Sequence, residues 1–165
     1  MRQRLPDILG IPVWFDDAFE GISDSRGFLW WKGIFVGQSW TRLTRREQGA
    51  VLLHEAGHVK LWHAEKRILP SLRMHFFNLR KIAAIVRAKN EAQARSMWGE
   101  LLKDSGVAAL AREQEFEADR FCAGCGYGSD LAMAFSRMQT ESDPMHPPTE
   151  ERLLRLNPMG GRTGI

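Results

Sequence analysis

The sequence predicts an α+β domain, with a short sheet near the N-terminus followed by a run of helices. Three observations carry that prediction. β-Branched and aromatic residues concentrate in two runs before residue 40. Beyond about residue 45, apolar residues recur at three- and four-residue steps, the period of a helix buried on one face. A length of 165 residues, with 44% hydrophobic and 26% charged residues, suits one compact domain and excludes disorder over most of the chain.

Residues 11–15 (IPVWF) and 28–37 (FLWWKGIFVG) read as strands, with the turn-rich 21–27 (GISDSRG) as the loop between them, giving a small antiparallel sheet. Thr44 and Glu47 match a capping box, and Leu52, Ala56 and Val59 keep helical spacing, so a helix is expected from about 45 to about 64. Pro70 and Ser71 open a second helical pattern carried by Leu72, Phe76, Leu79, Ala83 and Val86. Helical propensity continues to a break at Asp104, Ser105 and Gly106. A further helix is expected over 107–123, stopped by the glycines of GCGYG. Ser129 and Asp130 can cap another helix through Met138. Residues 143–148 read as irregular and 151–156 as helical, which makes 1–156 a single domain and 157–165 a flexible C-terminal tail.

The longest stretches free of Asp, Glu, Lys and Arg run nine residues, at 33–41 and 121–129. A membrane-spanning helix needs about twenty mostly apolar positions, so none is expected. The N-terminal ten residues lack the apolar run of a signal peptide, and the expected location is cytoplasmic. The net charge of +3 is too small to imply a nucleic-acid partner. Charge is uneven, however: residues 60–95 hold nine basic groups (Lys60, Lys66, Arg67, Arg73, Arg80, Lys81, Arg87, Lys89, Arg95) against Glu65 and Glu91.

His54-Glu55-Ala56-Gly57-His58 falls in the middle of the capped helix. Residues four apart rise about 6 Å and share a face, so both imidazoles can reach one metal ion while Glu55 leans over its open side. With five His and twelve Glu in 165 positions, this HExxH pattern arises by chance in roughly one such chain per hundred, so its context decides. Gly57 adds to that context. A glycine inside a helix costs about 1 kcal/mol relative to alanine, so a close approach by another element is expected there.

A catalytic metal site wants a third protein ligand and one open position. A metzincin would place a third His six residues after His58, but that position is Ala64, and Leu61 stands where its glycine would be. That class is excluded. The acidic run 113–119 (EQEFEAD) offers a carboxylate instead. Glu115 and Asp119 share a face with the small residues Ala111, Ala118 and Cys122, an arrangement that permits Glu115 as ligand and Asp119 as a partner to a ligand histidine. An acidic run taken alone is more often a solvated helix face.

At these residues the sequence resembles the zinc endopeptidases of the CAAX prenyl protease and HtpX heat-shock protease type, a branch of the gluzincins. HEAGH (54–58), EFEAD (115–119) followed by RFCAGCGYG, and the HP-x4-R element from His146 to Arg152 match in order. The resemblance implies a zincin-like fold, in which the small antiparallel sheet packs on the HExxH active-site helix with additional helices, and one Zn2+ per chain. It implies His54, His58 and Glu115 as ligands, Glu55 as general base and Asp119 as the carboxylate behind them. His146 would stabilise the oxyanion or regulate access to the zinc, and Arg152 would help to hold the site or the substrate. Typical members of the family carry membrane helices, some of them in the interval where this chain has the basic segment.

The expected function is therefore that of a zinc metalloendopeptidase (a hydrolase), which cleaves a peptide or protein substrate with a zinc-activated water and Glu55 as base. The alternative is a non-catalytic, zinc-stabilised regulatory binding module. Tyr127 is a weaker oxyanion candidate than His146. An extended substrate is expected to pair with the edge of the 28–36 strand. Cys122 reads as a packing residue and Cys125 as part of a helix stop. His63 and His75, without ligand-spaced partners, read as non-catalytic, and Trp30, Trp31 and Trp40 read as core, with a substrate groove as the alternative. The default reading of 60–95 is the solvated face of a core-packed helix; a surface for acidic substrates and a peripheral contact with anionic membrane are the other two.

Overall fold

The computed structural model describes residues 2–28, 31–138 and 144–160. Strands β1 (Arg2–Ile8) and β2 (Ile11–Asp16) form a tight hairpin, in which Leu9 and Gly10 both take positive φ, 50° and 77°. That pair of conformations is the twist-matched two-residue turn. Strands β3 (Ser23–Phe28) and β4 (Trp31–Val36) make a second antiparallel pair.

The expectation of a purely antiparallel sheet is corrected here. The order is β1-β2-β4-β3, and β2 pairs with β4 in parallel, Val13 opposite Ile34 and Phe15 opposite Val36. The physical reason is β3, which lies in the segment read as a loop. It occupies the outer side of β4, so the chain crosses over and brings β4 in beside β2 with the same direction. The fold class is α+β, with a mixed four-stranded sheet.

A short 3-10 turn over Gln38–Arg42 leads to α1 (Arg45–Lys60). Thr44 Oγ1 accepts from the Glu47 amide and the Glu47 carboxylate accepts from the Thr44 amide, so the expected capping box is formed. α1 ends four residues earlier than expected. Trp62 takes a left-handed conformation at φ 59°, and α2 (His63–Phe77) leaves in a new direction. The elbow is braced by Lys32, whose Nζ lies 3.6 Å from the centre of the Trp62 ring and 2.8 Å from Glu65 Oε1.

The remaining elements are α3 (Leu79–Val86), α4 (Glu91–Asp104), α5 (Val107–Gly124), α6 (Gly128–Met138) and α7 (Thr149–Gly160). Helix α7 continues past residue 156, so the first four positions of the expected tail are helical. Ile11, Val13, Ile34 and Val36 pack the sheet onto Ala56 of α1. A larger core joins α1, α5, α6 and α7 through Ala50, Leu53, Cys122, Leu131, Phe135 and Leu156. Met74, Leu101, Leu102 and Val107 form a third cluster under α2 and α4.

The stripe expected to seat the basic segment on the core does not do so. Leu72, Phe76, Leu79 and Val86 are exposed, Phe76 at 73% and Val86 at 81%, while Met74 is the buried residue of α2 in that region. Leu72 and Phe76 already face solvent on α2, which stops at Asn78, and Leu79 and Val86 face solvent on α3. Among the described residues no helix is long and apolar enough to cross a membrane.

Candidate active site

Helices α1 and α5 are in close contact at Gly57. A Cβ there would sit 3.1 Å from Ala118 Cα and 3.2 Å from Phe121 Cβ, inside the usual contact distance. The helix-weakening glycine is therefore what lets α5 bring its acidic run against the HExxH face.

His54, His58 and Glu115, all buried, present ligand-type atoms within 4.8 Å of one another, a group that can hold a metal ion. Nε2 of His54 and Nε2 of His58 are 3.1 Å apart, and each lies 3.3 Å from an oxygen of Glu115. Burial raises the Glu115 pKa, but hydrogen bonds from both imidazoles outweigh it and hold the carboxyl far below the ordinary carboxylate range. Burial disfavours a charge on His54, yet its hydrogen bonds to Asp119 and Glu115 prevail and raise its pKa to about 9.

Each imidazole is held from behind. His54 Nδ1 lies 3.0 Å from Asp119 Oδ1, and Asp119 is gripped by the Arg152 guanidinium at 2.9 and 2.6 Å. Arg152 is itself buried, 3.4 Å from Glu115 Oε2, with its guanidinium 3.9 Å from the centre of the Phe135 ring. His58 Nδ1 lies 2.8 Å from Nδ1 of His63, whose Nε2 is 2.9 Å from Glu117 Oε2. Burial and the neighbouring His58 lower the His63 pKa to about 4.

A cleft of about 750 Å³ opens beside these groups, lined by Ser23 to Arg26, His54, Glu55, His58, Arg67, Glu115, His146 and Arg152. Glu55 Oε1 accepts a 2.7 Å hydrogen bond from Ser23 Oγ. His146 is half-exposed at the cleft, its Nε2 3.8 Å from Glu115 Oε1. Six of the seven site residues expected from the sequence line this cleft, and the seventh, Asp119, lies behind them against His54 and Arg152. Tyr127 does not join them: it packs on the core beside Gly49 and under Arg46.

Three contributors escaped the sequence reading. Ser23 lies in a segment that reads as a turn. His63 stands five residues after His58, which on the continuous helix expected there is about 140° away; the left-handed elbow at Trp62 brings it back. Glu117 lies in the acidic run, and its partner His63 reaches it only through that elbow. Cys122 is buried and donates its thiol to Ala50 O at 3.3 Å; burial pushes its pKa well up, and Cys125 caps α5. His75 is exposed, and Trp40 packs between two core clusters, but Trp31 is exposed and Trp30 lies outside the described residues.

Buried atoms of metal-ligating type, with a carboxylate beside them at an open cleft, have the arrangement of a metallohydrolase site. The model of peptidase family M48 matches residues 25–159, most of the chain, and the chain belongs to that family. Comparison with curated proteins gives no match. The family and the His54, His58 and Glu115 cluster support a metallopeptidase.

Proposed function

We propose that the chain is a zinc-dependent metalloendopeptidase in which His54, His58 and Glu115 hold one Zn2+ and Glu55 is the general base. The observation that carries this reading is the Glu55 carboxylate, fixed by Ser23 beside the ligand cluster on the cleft side. A site that only braced the fold would close its fourth position and would not need an ionisable group there.

The donor set fits zinc. A tetrahedral ion with bonds of about 2.0–2.1 Å holds its ligand atoms about 3.3 Å apart; the two Nε2 atoms are 3.1 Å apart, and Glu115 lies 3.3 Å from each through a different oxygen, Oε2 toward His54 and Oε1 toward His58. Zinc bound there would polarise a water molecule and lower its pKa toward neutrality. Glu55 takes the proton of the attacking water and returns it to the leaving amine. His146, half-exposed at the cleft rim, serves the developing oxyanion. Asp119 holds the Nδ1 proton of His54, which directs the Nε2 lone pair inward, and Arg152 fixes Asp119 in place.

The sheet order favours β3 over the 28–36 strand as the partner of an extended substrate. β4 is flanked on both sides, whereas β3 is the edge and lines the cleft. An extended peptide therefore pairs with β3, through backbone groups that make little demand on its sequence.

The basic segment supports a second partner. Leu72, Phe76, Leu79 and Val86 are exposed beside the exposed cations Arg73, Arg80, Arg87 and Lys89. Apolar side chains rimmed by positive charge complement an anionic bilayer surface. Sedimentation with vesicles should show binding that needs anionic lipid and weakens at high salt; no lipid-dependent pelleting removes this partner.

The experiment for the enzyme is zinc analysis together with digestion of casein and a fluorogenic peptide, comparing wild type with Glu55→Gln. The expected result is one zinc per chain in both and a loss of about 10²–10⁴-fold in kcat for the variant. Equal activity overturns the mechanism. Zinc retention with no cleavage across a broad peptide library favours the regulatory binding module.

A further inference from the structure

We propose that His63 and Glu117 are positioning residues for the metal centre, setting the tautomer and ring orientation of His58 through a two-step hydrogen-bond relay. The inference rests on the reading of His54, His58 and Glu115 as metal ligands. His63 is fully buried at 0% exposure, and no step of the proposed hydrolysis uses it.

The direction of each bond follows from what the groups can donate. The Glu117 carboxylate only accepts, so the proton of the 2.9 Å contact sits on His63 Nε2. Nε2 of His58 faces His54 and Glu115 and must offer a lone pair to an ion, so the proton of His58 sits on Nδ1. The 2.8 Å contact between the two Nδ1 atoms then has one donor, His58, and one acceptor, the bare Nδ1 of His63. Every proton has one place, and the chain ends on a carboxylate.

The backbone is arranged to hold this relay. The left-handed Trp62 turns the chain so that His63 folds back over His58, and Gln114 Nε2 donates to the His63 carbonyl at 3.3 Å. Glu117 also has Lys66 Nζ 3.9 Å away. His54 and His58 are thus oriented by different carboxylates of one helix, Asp119 directly and Glu117 through an imidazole.

The test compares zinc affinity, by chelator competition on metal-free protein, for wild type, His63→Phe, Glu117→Ala and Glu117→Gln. Phe keeps a ring in the buried position without its nitrogens, and Gln keeps an acceptor oxygen for His63. The expected result is a zinc Kd raised about 10–100-fold in His63→Phe and Glu117→Ala. Glu117→Gln, which keeps an acceptor oxygen, should recover most of that loss, and the loss in His63→Phe, where the ring stays in place, is what a purely packing role would not give. Zinc affinity unchanged in both His63→Phe and Glu117→Ala overturns the inference and leaves the metal centre standing. A wild type that takes up no zinc overturns the metal-centre reading and the inference with it. Should the variants fail to fold, long-range 1H–15N spectra of zinc-loaded wild type decide: a proton on His63 Nε2 with Nδ1 bare is expected, and a proton on His63 Nδ1 overturns the relay.

Discussion

Asp119 grips both ends of the Arg152 fork, 2.9 Å from Nε and 2.6 Å from Nη2, while its Oδ1 also lies 3.0 Å from Nδ1 of His54. Burial would raise the Asp119 pKa, but the hydrogen bonds from Arg152 and His54 outweigh it and keep the carboxyl below its ordinary range. One carboxylate therefore neutralises a buried cation and aims an imidazole. It ties α7 to α5 and both to α1.

Asp119→Ala should be among the most damaging single changes. It leaves the Arg152 guanidinium buried, with Glu115 at 3.4 Å as a poorer counterion. Stranding a buried charge costs about 3–5 kcal/mol, read as a lower urea midpoint of the metal-free protein. Arg152→Met on its own strands Asp119 in the same way. The pair Asp119→Leu with Arg152→Met should recover much of the stability but not the orientation of His54. A wild-type urea midpoint for Asp119→Ala would show that the fork does not bear on stability.

The raised pKa of His54 makes metal uptake sensitive to pH. Its folded-state value of about 9 lies above the ordinary 6.5, so in the metal-free protein the charged form contributes stability that is complete below pH 6.5 and lost as pH rises through 9. A metal ion requires the neutral ring and must displace that proton. Zinc uptake at pH 7 should release about one proton per ion, falling toward zero above pH 9. Titration calorimetry in buffers of different ionisation enthalpy measures the number. No release at pH 7 would mean that His54 is already neutral before the ion arrives.

His146→Ala separates two readings of that residue. As oxyanion donor, His146 is needed for turnover, and its removal should lower kcat by about 10²–10³-fold with zinc content unchanged. If His146 instead closed the metal's open position in a resting state, its removal would raise activity. The half-exposed ring, 3.8 Å from Glu115 Oε1, favours the loss, and a peptide-cleavage assay decides.

The metal site was legible in the sequence because its residues obey helical spacing. His54 and His58 are one turn apart on α1, Glu115 and Asp119 one turn apart on α5, and Gly57 marked where the two helices meet. What escaped depends on backbone geometry that residue types do not announce. The elbow at Trp62 puts a tryptophan, not a glycine, at positive φ, so nothing in the sequence marked a break between His58 and His63. Strand β3 is built largely from Ser23, Asp24, Ser25 and Gly27, types that favour turns, and it is held as a strand by pairing with β4. The stripe through Phe76 and Val86 showed its period faithfully. A period gives the face, not what that face meets, and this one meets solvent.

Strand β3 carries the last prediction. Asp24 lies opposite Phe35 and Ser25 opposite Ile34. In an antiparallel pair, successive residues alternate between bonding to the partner strand and pointing away from it. Proline at whichever of these two positions bonds to β4 removes a ladder bond and lowers stability, whereas proline at the other leaves the sheet intact and removes a donor from the free edge. The second variant should keep the wild-type urea midpoint and zinc content yet lose about tenfold in kcat/KM on an extended peptide, the worth of roughly one hydrogen bond. Alanine at the same position keeps the amide and should spare kcat/KM, which separates backbone pairing from recognition by the Asp24 or Ser25 side chain. Two prolines that both spare kcat/KM in a folded protein would place the substrate elsewhere than on β3.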